Sequence, residues 1–319
     1  PARVRDAVAR RKPCASFRRA TDSCEKNVAI RALRRENGDG TSSAQGDGME
    51  LRGEPVAPEA ARYVRHFSEL SLTDTDVAGG KGANLGELAR AKLPVPGGFV
   101  VTADAYLRAI DEAGIRSLLR ETAARLGDGD PKAYEEASAL LRARFSGADV
   151  RRAVLDAYAA LGRDVRVAVR SSATSEDSAD ASFAGMNASF TNVSGPDALL
   201  ARLVDCWASL WSARVLAYRV SQALADEPAI AVVVQRMVAS DRSGVMFTID
   251  PTTGDDRRML IESAYGLGEV VVGGQVEPDT FVVDKASLQA VRSRVGSKRE
   301  RCVLAVDGER RLDVPEAER

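Results

Sequence analysis

Seven residues, Ala229-Ile230-Ala231-Val232-Val233-Val234-Gln235, form a nearly uninterrupted apolar run rich in β-branched side chains, set directly behind Pro228. This pattern reads as a strand, and because neither alternating set is polar it implies burial on both faces. The rest of the chain must therefore supply cover for two sides of a sheet. Candidates for that cover are plain. Pro94 to Thr102 reads as a turn and a short buried strand, with Thr102 capping a helix from Ala103 to about Ala113. Leu118, Leu119, Ala123 and Leu126, and then Val150, Val154, Leu155, Tyr158 and Leu161, recur at helical spacing, so residues 115–162 are expected to be mostly helical. A further helical stretch is expected over Ala198 to Ala225, where Trp207 and Trp211 stand at i, i+4. Indoles at that spacing bury large areas and read as core rather than as a ligand platform.

The stretch from Val165 to Val193 carries the chemistry. A β-branched run ending at Val169 delivers Arg170, Ser171, Ser172 and Thr174, a small-residue loop containing Gly185 follows, and Ser189-Phe190-Thr191-Asn192-Val193 alternates as a returning strand. A strand, a polar flap and a strand suit a polyphosphate. Gly185 admits backbone N–H groups to close range, the hydroxyls of Ser171, Ser172, Thr174 and Ser189 donate, and Arg170 supplies a fixed charge. A polar surface hairpin with an incidental arginine fits the same composition.

Gly79-Gly80-Lys81-Gly82 precedes a helical pattern over Ala83 to Lys92, and a glycine turn feeding a helix N-terminus is an anion site to which Lys81 adds a point charge. After the apolar strand, Arg236-Met237-Val238 suits a cofactor cleft, with backbone groups on a ring edge and Met237 and Val238 on its face. Two antiparallel strands are expected around the turn from Asp250 to Asp255, followed by one at Thr280 to Asp284. Glu262 and Glu269 are either metal ligands or exposed strand-end carboxylates. His66, the sole histidine, lies beside aromatics without a titratable cluster and reads as a packing residue.

Composition narrows the class. A formal net charge of −1 argues against nucleic acid or a membrane surface as partner, and the local excess of 11 basic over 6 acidic side chains falls in residues 1–48, which are too poor in apolar periodicity to bury a core. Residues 1–52 are accordingly expected to be a disordered extension, with Met49 as the natural start. Cys14, Cys24, Cys206 and Cys302 form no paired spacing, so a reducing cytoplasm is the default. No apolar run reaches the roughly 20 residues of a bilayer span.

Four ordered stretches carry a family resemblance: Gly79 to Leu88, Arg170 to Asp177 with Ser182-Phe183-Ala184-Gly185, Val234 to Val238, and Ser263 to Glu269. Together they resemble the nucleotide-binding domain of phosphoenolpyruvate synthase (pyruvate, water dikinase), pyruvate phosphate dikinase and rifampicin phosphotransferase. The resemblance implies an α+β ATP-grasp fold of two lobes clamping ATP, here 53–226 and 227–319, the second stopping before the family's metal-binding segment. It implies that Lys81 and Arg170 hold the phosphates, Gly185 and Ser189 close over them, and Gln235, Met237 and Val238 hold adenine. Mg²⁺ ligands are expected beyond the last residue. The phosphohistidine and pyruvate-binding domains are expected to be absent, and the acceptor, pyruvate or rifampicin, stays open.

Overall fold

A computed structural model of the chain describes residues 60–127, 132–144, 147–174, 188–212, 215, 229–305 and 308–319. The expected disordered extension over 1–52 lies outside these. The chain divides into two compact units after Val238, and each is taken by itself.

In the first unit the apolar run becomes the middle strand of an antiparallel sheet. Strands β1 (Val64–His66), β2 (Gly98–Val101), β3 (Val167–Ala173), β4 (Ser189–Val193) and β5 (Ile230–Arg236) are ordered β1-β2-β5-β3-β4. Strand β5 pairs with β2 and β3, Phe99 opposite Val234 and Arg170 opposite Val233. Both faces of β5 are covered, as its composition requires. Ile230, Val232 and Val234 join Phe99, Val101, Val167 and Val169 in the larger core, beneath residues of helices Ala103–Glu112, Ala148–Leu161 and Pro196–Ser209. Ala231 and Val233 point the other way and pack with Val100, Phe67, Leu70 and Ala78, the last on helix Thr75–Arg90. Strand β5 closes the first sheet, so the units part at Val238/Ala239.

Helices Arg116–Gly127, Ala133–Arg144 and Ala148–Leu161 fill the stretch expected to be helical. Thr102 caps helix Ala103–Glu112 by accepting from the Ala105 N–H at 3.2 Å. The tryptophans are core: Trp207 stacks edge-on against Tyr106 at 5.8 Å, and Trp211 donates its indole N–H to the Tyr106 hydroxyl at 3.0 Å. His66 packs edge-on against Phe99, in keeping with a packing role.

The second unit is an antiparallel meander, β6 (Arg242–Phe247), β7 (Arg258–Tyr265), β8 (Asp279–Asp284) and β9 (Ala290–Arg294), with a separate hairpin of β10 (Glu300–Ala305) and β11 (Gly308–Asp313). The turn between β6 and β7 is built on Asp250, whose carboxylate accepts from the Thr252 N–H at 2.8 Å and the Thr253 N–H at 3.3 Å. Burial alone would raise this carboxyl, but the N–H and hydroxyl donors of Thr252 and Thr253 outweigh it and hold it below the usual carboxylate range. A depressed folded value means that the charge stabilises the fold above the unfolded value of 3.8 and that this is lost as pH falls through the folded value. Asp250→Asn keeps the acceptor and removes the charge. It should lower the thermal midpoint of the second unit at about pH 7, and by progressively less in acid as pH falls through the depressed folded value and the Asp250 charge is lost in the unmodified protein as well. Midpoints of the two proteins at neutral pH and in acid provide the check, and a gap that stays as wide in acid would contradict it.

Candidate functional site

Strand β3 continues through Arg170, Ser171 and Ser172 to Ala173, which the sequence reading had assigned to a flap. Alternation therefore decides where each side chain goes. Val167, Val169 and Ser171 take the larger-core face. Ala168, Arg170 and Ser172 take the face that carries helix Thr75–Arg90, with Val233 and Gln235 as cross-strand neighbours of Arg170 and Ala168. Across the other edge Arg170 stands opposite Ser189, so the arginine and the exposed serine share that face.

The Lys81 turn is fastened to the same face. Helix Thr75–Arg90 is interrupted at Gly79, whose φ of 66° and ψ of 170° stop the helical path, so that a fresh N-terminus begins at Gly80. An N-cap side chain normally accepts from the second or third helical N–H. Gly79 has no side chain, and the Ser172 hydroxyl fills its place from the neighbouring strand. It accepts from the Lys81 N–H at 3.1 Å and the Gly82 N–H at 3.3 Å, and donates to the Ala78 carbonyl at 2.9 Å. One donor and two acceptor positions are thereby filled. Ser172 sits two residues from Arg170, about 7 Å along the strand, so the turn that carries Lys81 starts on the same face as Arg170.

Three hydroxyls expected to meet phosphate are instead engaged inside the fold. Ser172 caps the lysine helix, Ser171 donates to the Ala188 carbonyl at 3.2 Å, and Thr174 donates to the Ala229 carbonyl at 3.3 Å. Ser171 and Ser172 have no exposed surface, because they belong to the strand rather than to a loop. Gly185 lies outside the described residues.

The far end of the face is the segment after β5. The Gln235 side chain donates to the Pro96 carbonyl at 3.3 Å, and the Met237 N–H donates to the Arg166 carbonyl at 2.8 Å. That N–H was expected to meet a ring edge; it extends the β3–β5 pairing by one step instead. Met237 and Val238 are half-buried, and among the described residues the Val238 backbone makes no hydrogen bond. From Val233, opposite Arg170, to Met237 is four residues, about 13 Å of strand, a reach comparable to that of an extended nucleoside triphosphate.

Among the described residues no group of three or more His, Cys, Asp or Glu gathers to hold a metal. Glu262 is half-buried in β7 between Val245 and Thr280, and Glu269 is exposed in the first turn of the short helix Glu269–Val272. Burial pushes the thiols of Cys206 and Cys302 up, which removes them as nucleophiles. No described helix is long and apolar enough to cross a membrane.

The Lys81 turn, Arg170 and Ser189 thus belong to one face of the first sheet. The family model for the pyruvate phosphate dikinase AMP/ATP-binding domain matches residues 75–319, most of the chain. The chain belongs to this family. Relatives within the reach of this nucleotide-binding domain include the phosphoenolpyruvate synthase of Aeropyrum pernix, 46% identical over 251 residues that cover 74% of this chain and 30% of the relative. The probable phosphoenolpyruvate synthase of Methanothermobacter thermautotrophicus is 43% identical over 247 residues, 74% of this chain and 36% of the relative. The chain thus spans about a third of the length of these curated relatives of the pyruvate phosphate dikinase domain.

Proposed function

We propose that this chain is the ATP-grasp, nucleotide-binding portion of a phosphoenolpyruvate synthase-like dikinase. It binds ATP so that a phosphoryl group passes to a carrier histidine on a domain outside these residues, and from there to pyruvate. The observation that carries this reading is the placement of Arg170, Ser189 and the Ser172-tethered Lys81 turn on one face of one sheet. Phosphoryl transfer asks a protein mainly for positioning and charge stabilisation, and two fixed cations beside a hydroxyl meet that need. Lys81 and Arg170 hold the phosphates, Ser189 and Gly185 close on them, and Gln235, Met237 and Val238 hold adenine, the Val238 backbone supplying the hydrogen bonds to its edge. Mg²⁺, when bound, would supply charge neutralisation for the phosphates; none of the described residues is assigned to hold it. The printed names of the relatives favour pyruvate over rifampicin as the acceptor.

Arg170→Ala should weaken ATP binding by about 1.5–3 kcal/mol, roughly 10- to 150-fold, through loss of charge-assisted hydrogen bonds. Lys81→Ala should act in the same direction by a smaller factor, since a lysine contacts phosphate as a point charge. Both thermal midpoints should stay within about 4 °C of the unmodified protein, the shift that ~1 kcal/mol produces in a chain of this size. Calorimetric titration with Mg·ATP and a thermal scan of each variant test the assignment. Unchanged affinity with a collapsed midpoint would make both residues structural and sink the site.

A further inference from the structure

We infer that Ser172 is a positioning residue for this nucleotide site, acting through Lys81; the inference rests on the reading of Lys81 and Arg170 as the phosphate-holding pair. Its hydroxyl is fully buried and joins three backbone groups of a segment 90 to 94 residues away in sequence, the Ala78 carbonyl and the N–H groups of Lys81 and Gly82. Arg170 lies on the same strand and the same face. One hydroxyl therefore fixes the start of the lysine helix to the strand of the arginine.

The local geometry leaves Ser172 as the cap. A side chain at position 79 would normally provide it, but a Cβ there would stand 2.3 Å from both the Ser172 carbonyl oxygen and its hydroxyl oxygen. The absent side chain of Gly79 and the hydroxyl of Ser172 are two parts of one device. With the hydroxyl removed, the N–H groups of Lys81 and Gly82 lose their acceptor and the first turn is free to fray, as uncapped helix ends do. Lys81 then loses its fixed relation to Arg170, and preorganisation is lost at the site where charge must be met.

The test combines amide exchange with a double-mutant cycle on the full chain. Ser172→Ala should speed hydrogen exchange at the Lys81 and Gly82 amides by about tenfold or more and leave Ala105, capped by Thr102, unchanged. The same variant should weaken Mg·ATP binding about fivefold alone, no more than Lys81→Ala does, and less than about twofold in a Lys81→Ala background, the signature of a residue acting through another. Ser172→Thr keeps the hydroxyl and should keep both slow exchange and affinity within about threefold. Unchanged exchange at Lys81 and Gly82 would overturn the cap itself. Altered exchange with an equal affinity loss in both backgrounds would overturn positioning in favour of a general effect on the fold. If the unmodified protein fails to bind Mg·ATP while exchange still responds, the site reading fails and the positioning role falls with it, the cap remaining as a purely structural tether.

Discussion

Gly79→Ala should destabilise the first unit by about 3–5 kcal/mol, the sum of a backbone strain and a collision. At φ 66° and ψ 170° the residue occupies a region that is essentially confined to glycine. The added Cβ would also lie 2.3 Å from the Ser172 carbonyl oxygen and 2.6 Å from its carbonyl carbon, and backbone in the interior of a sheet has little room to yield. Gly195 separates the two contributions. Its φ of 88° and ψ of 154° are comparably strained, yet nothing lies within 4 Å of a Cβ built there. Gly195→Ala should therefore cost only the strain, about 1–3 kcal/mol. Urea unfolding of both variants gives the comparison, and equal losses would mean that the strand gives way and the close approach carries no energy.

Trp211→Ala should cost about 3–5 kcal/mol, as truncation of a fully enclosed aromatic side chain does. Trp211 is 2% exposed and donates to Tyr106, which itself packs against Trp207, so the loss opens a cavity and removes a buried hydrogen bond together. Trp211→Phe refills most of the volume without the N–H and should lose about 1–2 kcal/mol. Denaturant midpoints measure both. The phenylalanine variant should also bind Mg·ATP within about twofold of the unmodified protein, since this pair serves the core; a large loss of affinity at an unchanged midpoint would return the tryptophans to the ligand.

What the sequence discloses and what it withholds divide along a physical line. Strand β5, the stripes of the helices between 116 and 161 and the Thr102 cap are local patterns, and each appears where its spacing puts it. Ser171 and Ser172 were misread because serine favours loops, whereas their strand is completed by Ala231 and Val232, some sixty residues on. The Ser172 cap spans a still longer interval, and no local signal marks it. Likewise nothing local in the β5 run says which strands it joins; its hydrogen-bonded partners, β2 and β3, both lie upstream. Strands β9 and β11 are almost wholly exposed, so they lack the apolar alternation that would reveal them. At the candidate site, a glycine turn and a polar strand end single out Lys81 and Arg170, and the family resemblance implies their role; the sheet supplies the reason the segments that carry them share a face.

The order β1-β2-β5-β3-β4 also sets a timetable for synthesis. Four of the five strands leave the ribosome before the one that joins them, and until β5 arrives β1–β2 and β3–β4 are two separate ribbons with no hydrogen bonds between them. Isolated two-stranded ribbons are marginal in water, and their apolar faces would be exposed meanwhile. Closure then brings together residues as distant as Phe99 and Val234, a non-local step that slows folding and lengthens exposure to aggregation. A nascent chain that stalls anywhere before Ile230 holds a sheet with its middle missing, so the last strand to be made acts as the commitment step for the whole first unit.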